Sequence, residues 1–141
     1  MSGLIVRFTV PGPPMGKQRP RVYRVGDKSR AVTPQKTVSY ENLVKWYYSS
    51  EAGEKRLEGE IEACIKAMYP IPKSMSKKNR QLIEEDKLHP TKKPDADNIG
   101  KIILDSINGL AYHDDSQVVR LVVEKYYSEF PRVEVTLREI I

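Results

Sequence analysis

The sequence predicts an α/β fold: a single small domain with a mixed β-sheet and helices packed on it. Three observations lead there. The chain has 141 residues, the size of one domain, and a chain of that size buries about 68–70% of its unfolded surface. Hydrophobic residues make up 39% and charged residues 30%, a polar but globular balance. The apolar period switches between two and about 3.6 along the chain, giving the order β, α, β, α, α, β, β.

Leu4, Val6, Phe8 and Val10 alternate with polar or small residues and form a strand, which Pro11-Gly12-Pro13-Pro14 ends. A basic stretch over 17–36 reads as a loop. Lys17, Arg19, Arg21, Arg24, Lys28, Arg30 and Lys36 stand there against one acid, Asp27. Thr33-Pro34 has the form of an N-cap followed by proline at the first helical position. Tyr40, Leu43, Val44, Tyr47 and Tyr48 recur at i, i+3, i+4, i+7, i+8, so an amphipathic helix is expected over 34–50, stopped near Gly53, with the tyrosines in the core. Ile61, Ala63, Ile65 and Ala67 alternate in a strand over 59–69, which also places Cys64 in the core. Ser74 or Ser76 caps a short helix running through Asp86, and 87–96, with Pro90 and Pro94, is a loop. Ile99, Ile102, Ile103, Ile107 and Leu110 mark a further amphipathic helix, with Asp97 as its cap and Gly109 near its end. Residues 117–127 are rich in Val and Tyr, with Tyr126 and Tyr127 on opposite strand faces, and Val133, Val135 and Leu137 alternate again. With Glu129-Phe130-Pro131 between them, these two runs read as a terminal hairpin. The chain shows no internal repeat and no low-complexity segment.

No apolar run exceeds three residues, whereas a bilayer span needs about 20 and a secretory signal about 7–15. Cys64 is the single cysteine and cannot form an internal disulfide, so the expected location is cytoplasmic. Neither a G-x-x-x-x-G-K-[ST] phosphate loop nor a nucleophilic serine elbow is present. His89 and His113 are not spaced as a zinc pair, so no structural zinc is expected.

The net charge is +5, unevenly spread: +7 over residues 1–50, +2 over 51–94 and −4 over 95–141. An anionic partner is indicated. Five of the seven aspartates nevertheless lie between residues 95 and 115. Such a window is either a solvated, capped loop or a cation site set within a phosphate-binding surface. Asp97 alone reads as an N-cap and Asp114-Asp115 alone as a turn before a strand. Asp95, two residues before Asp97, has no capping role in that scheme, and in extended chain it points to the same side as Asp97. Together the positions favour a metal site. Mg²⁺ takes oxygen ligands and keeps several waters, so two or three carboxylates suffice. Asp114 and Asp115 join Asp95 and Asp97 if the next strand begins beside the helix start. Asp105 lies eight residues after Asp97, about 12 Å along a helix, too far for both to share an ion. It is therefore read as a partner of Lys101 or a surface charge. Lys101, one turn above Asp97, either holds a phosphate oxygen or pairs with Asp97 and Asp105.

Pro94-Asp95-Ala96-Asp97-Asn98, then Lys101, Asp105, Ala111-Tyr112 and Asp114-Asp115-Ser116-Gln117-Val118, resembles the signature of RusA-type Holliday junction resolvases. Gly16-Lys17-Gln18-Arg19-Pro20-Arg21, Thr33-Pro34, Tyr40-Glu41 and Pro72-Lys73-Ser74 resemble the phage and prophage branch of that family. The resemblance covers nearly the whole chain. It implies a small α/β homodimer and a Mg²⁺-dependent endodeoxyribonuclease, with Mn²⁺ a possible substitute, that resolves four-way junctions by paired symmetric nicks in recombination and repair. It implies metal binding by Asp95, Asp97 and Asp115, with Asp114 as a neighbouring acid, and an essential role for Lys101. Lys17, Arg19, Arg21, Arg24, Lys36, Lys92 and Lys93 are the expected phosphate contacts. Two other readings stand beside it. One is a non-catalytic protein that binds branched DNA, its aspartates serving as caps. The other is a metal phosphohydrolase of small phosphoesters, which leaves the basic N-terminal third unexplained.

Overall fold

The computed structural model describes residues 3–17, 21–32 and 34–141, without the side chains of Arg21, Tyr23, Val25 and Val32. Alternation of apolar residues builds a four-stranded sheet from β1 (Ile5–Pro11), β4 (Ile61–Pro70), β5 (Val118–Ser128) and β6 (Arg132–Glu139), in the order β1-β6-β4-β5. β6 pairs antiparallel with both β1 and β4, while β5 pairs parallel with β4, so the sheet is mixed. α1 (Gln35–Ala52) packs on β1 and α3 (Ala96–Ser106) on β5, both against one face of the sheet. That face carries Val6, Phe8 and Val10 of β1, Ile61, Ala63, Ile65 and Ala67 of β4, and Val133, Val135 and Leu137 of β6, all buried. Above them lie Tyr40, Val44 and Tyr48 of α1 and Ile99, Ile102 and Ile103 of α3. Phe8 meets Tyr48 edge to face with ring centroids 5.4 Å apart. Among the described residues no helix is long and apolar enough to cross a membrane.

The expected class and most elements hold, and several details differ. The basic stretch read as a loop contains a hairpin, β2 (Arg21–Val25) and β3 (Lys28–Val32), turning at Gly26-Asp27 with Gly26 at φ 65°. Val22, Tyr23 and Val25 with a Gly-Asp turn were its signal, hidden by the surrounding charge. α1 starts at Gln35 with Pro34 in the N-cap position, and Thr33 lies outside the described residues. Ser76 caps α2 (Lys77–Glu84), its hydroxyl accepting from the Asn79 amide at 3.1 Å. The N-cap of α3 is Asp95, not Asp97, because the chain stays extended through residue 95 (φ −72°, ψ 154°). α3 also ends earlier than expected, leaving Gly109 and Leu110 in the following turn. The terminal hairpin is a correction as well. β5 and β6 do not pair but flank β4, joined by Glu129-Phe130-Pro131. That link lacks the Asn-Gly or Gly-X pair a tight hairpin uses, and proline offers no amide to close it. Cys64 points away from the core beside Glu62 and is half-buried. Tyr40 and Tyr48 are buried, whereas Tyr47 is only partly so.

Gly100 lies where α3 crosses β5. A Cβ there would meet Leu121 Cδ2 at 3.2 Å and Val123 Cγ2 at 3.3 Å. Gly100→Val is expected to destabilise the fold by about 1–3 kcal/mol through overpacking. Urea unfolding checks this: the midpoint should fall with an unchanged slope.

Candidate active site

α3 runs antiparallel to β5, and this direction decides where the aspartates go. Its start lies by the end of β4: the Tyr69 hydroxyl donates to the Pro94 carbonyl. Burial, with the Asp95 charge nearby, pushes that phenol up to about 12. The middle of α3 sits on Leu121 and Val123. Its last turn meets the loop before β5, where the Tyr112 hydroxyl donates to the Leu104 carbonyl at 2.7 Å. Tyr112 is fully buried, and its phenol is raised far above the ordinary range by burial, with Asp115, Asp105 and Asp114 adding to the shift.

Asp95 and Asp97 occupy the N-cap and second positions of α3, and both are exposed. The Asp95 carboxylate makes no capping hydrogen bond. Neither aspartate forms an ion pair among the described residues. The expected sharing of one extended stretch is corrected, because Asp97 already lies in the helical turn. Both carboxylates sit at the positive end of the helix dipole.

Asp114 and Asp115 do not return to that end, since β5 begins beside the last turn of α3. Asp114 caps a short 3-10 turn, Asp115–Gln117, accepting from the Ser116 amide at 3.2 Å. Gln117 reciprocates by accepting from the amides of Asp114 at 3.1 Å and His113 at 2.8 Å, and it donates to the Gly59 carbonyl at 3.1 Å. The hydrogen bonds from Ser116 hold the Asp114 carboxyl below the usual carboxylate range. Asp115 is half-buried, and its carboxylate takes no part in this capping. Two acids therefore stand at the start of α3 and three, Asp105, Asp114 and Asp115, about its far end, and the helix between rises about 1.5 Å per residue. Among the described residues no three of His, Cys, Asp and Glu gather into a group able to hold a metal ion. The Asp95–Asp97 end still suits a hard cation, because magnesium sites commonly use one or two carboxylates and complete their shell with water and phosphate.

Lys101 is exposed one turn above Asp97 and pairs with neither Asp97 nor Asp105 among the described residues. Asp105 instead binds Lys17, Nζ to Oδ2 at 2.7 Å, with Glu41 Oε2 3.7 Å from the same ammonium. The hydrogen bond to Asp105 outweighs burial and holds the Lys17 ammonium above the ordinary lysine range. Glu41 was not anticipated, although it and Asp27 are the only acids in the first 50 residues. A hollow of about 380 Å³ opens beside Asp95, with Lys17, Lys93, Met15 and Asn98 among its walls. Lys92 and Lys93 are exposed, and the Lys92 carbonyl accepts from Lys125 Nζ at 2.7 Å. Arg24 is exposed on the β2–β3 hairpin, and Lys36 is exposed in the first turn of α1. Arg19 lies outside the described residues, and of Arg21 only the backbone in β2 is described.

The family model for endodeoxyribonuclease RusA matches residues 11–138. The uncharacterized protein YqaN of Bacillus subtilis (strain 168) is 41% identical over 137 residues, covering 96% of each chain. The fold, the acids about α3 and this match over nearly the whole length agree: the chain belongs to the RusA family of Holliday junction endodeoxyribonucleases, enzymes of a class that works with divalent metal ions.

Proposed function

We propose that the protein is a Mg²⁺-dependent, structure-selective endodeoxyribonuclease that resolves four-way junctions as a homodimer by paired symmetric nicks. The observation that carries this reading is the pair of uncommitted carboxylates at the start of α3, beside a hollow that Lys93 helps to wall. Asp95 and Asp97 would hold the ion. When bound, it supplies a Lewis acid for the phosphoryl oxygen and a water of lowered pKa. Lys101 stands one turn away with its charge uncompensated and neutralises charge developing on the scissile phosphate. Arg24, Lys36, Lys92 and Lys93, exposed on three different segments, bind flanking phosphates and position the DNA without reading its sequence. The same role is proposed for Arg19 and Arg21.

Asp115 is the better candidate for a third carboxylate, because Asp114 is engaged as a cap. It lies at the far end of α3 from Asp95 and Asp97. In this reading a second copy, related by a two-fold axis, brings its own Asp115 to the first copy's pair. Each dimer then has two equivalent sites, matching the two-fold symmetry of an open junction. A small-phosphoester hydrolase would have no use for the exposed basic hairpin. A purely architectural binder would leave the Asp95 carboxylate without a role.

Asp95→Asn should keep junction affinity within about twofold while cutting falls about a thousandfold, a loss of about 4 kcal/mol of transition-state stabilisation. A labelled four-way junction and a linear duplex of the same sequence, with Mg²⁺ and then EDTA, provide the assay. Near-wild-type cutting by this variant would remove Asp95 from the site. Mixing inactive Asp95→Asn with inactive Asp115→Asn should restore single-strand nicking, since the mixed dimer keeps one intact composite site. Arg24→Gln should weaken junction and duplex binding alike and lower the salt-dependence slope by about one.

A further inference from the structure

Lys17 opens the basic stretch, yet its ammonium is already neutralised. It sits between an acid of α3 and an acid of α1, Asp105 at 2.7 Å and Glu41 at 3.7 Å, with the three side chains 27%, 25% and 20% exposed. One cation between two carboxylates leaves a local charge of −1, which repels a phosphate rather than attracting it. The backbone is tied as well. The Lys17 amide donates to the Asn98 carbonyl at 3.4 Å. A Cβ on Gly16 would lie 3.0 Å from the Cβ atoms of both Asn98 and Pro94, so glycine suits this close approach. Lys17 thus reaches the first turn of α3 through its main chain and the last turn through its side chain. It also forms a wall of the hollow beside Asp95.

We propose that Lys17, Asp105 and Glu41 are positioning residues: a clamp that seats the segment before the basic hairpin along α3 and sets one wall of the hollow that Asp95 also lines. This revises the expectation that Lys17 contacts phosphate. It rests on the nuclease reading only for its effect on cutting. The clamp acts through placement, so its loss disturbs the reacting geometry more than the affinity. Misplacement of about 1 Å costs up to about 100-fold in rate.

The test compares Lys17→Gln, Asp105→Asn and the double variant in three measurements. In single-turnover cutting of a four-way junction, each single variant should be about tenfold slower or more, and the double variant no slower than the worse single. In junction binding without divalent metal, Lys17→Gln should leave the slope of log affinity against log salt unchanged. In thermal melting, the two single losses should not add. A phosphate contact predicts the opposite pattern: Lys17→Gln lowers the slope by about one, and Asp105→Asn frees the lysine and tightens binding. That pattern, or additive melting losses, overturns the clamp. A wild-type protein that cuts no junction overturns the nuclease reading instead, and the salt slopes and melting cycle still decide the clamp. Should a variant fail to fold, Glu41→Gln removes only the more distant partner and is expected to give smaller changes in cutting and melting with an unchanged slope. A lowered slope in Glu41→Gln, or cutting and melting identical to wild type, also overturns the proposal.

Discussion

The site depends on how α3 lies on β5. Ile99, Ile102, Ile103 and Ile107 are fully buried, each contributing about 1.5–3 kcal/mol relative to exposure. Gly100 permits the close crossing over Leu121 and Val123. Once that face is buried, the rotation of the helix is fixed, and Asp97, Lys101 and Asp105, four residues apart, fall on its opposite side. The direction is fixed as well. Tyr69 holds the start of the helix through the Pro94 carbonyl, and Tyr112 holds its last turn through the Leu104 carbonyl. A buried carbonyl stripped of such a donor costs about 1–3 kcal/mol, so both ends resist sliding. Apolar packing thereby decides which charges face outward and at which end of the helix each acid stands.

The charges on that outer side then divide by partner. Asp105 takes Lys17, and Lys101 is left uncompensated among the described residues. A lysine held between two acids gains stability but loses its attraction for phosphate. An exposed lysine beside two carboxylates keeps both its charge and its freedom to reach an anion. The basic N-terminal third is therefore not one surface. Its first cation is fastened to the helices, while Arg24, Lys28 and Arg30 ride on a two-stranded hairpin outside the main sheet, exposed to solvent. A two-stranded unit buries little of its own surface, so the hairpin contributes charge rather than core.

Periodicity made β1, α1, β4 and α3 legible, because one buried face repeats at a fixed spacing in each. It could not reveal the partner of β5. Val118–Ser128 reads the same beside β6 or beside β4, and strand pairing is non-local. The β2–β3 hairpin was obscured because Arg21, Arg24, Lys28 and Arg30 make the segment resemble a solvated loop. The aspartate motif was visible as a motif, but its geometry was not. Whether Asp115 reaches Asp97 depends on the direction of α3 along β5, which no local pattern states. The cap of α3 was misplaced by two residues because Asp95 holds the N-cap position without a capping side-chain bond. The Lys17–Asp105 pair spans 88 residues of sequence and was beyond any local rule.

Separating the acids by the length of α3 has a consequence for control of the proposed reaction. A chain that gathered three carboxylates on its own could act on any phosphodiester reaching its basic surface. Here a single chain presents two at one end of the helix, while at the other Asp105 is paired with Lys17 and Asp114 is occupied as a cap, leaving Asp115. In the proposed dimer the complete donor set exists only at the interface of two copies, so assembly of the site and selection of a two-fold substrate become one event. The clamp at Lys17 fits this scheme, since a site built across an interface tolerates little drift in the walls that each copy supplies.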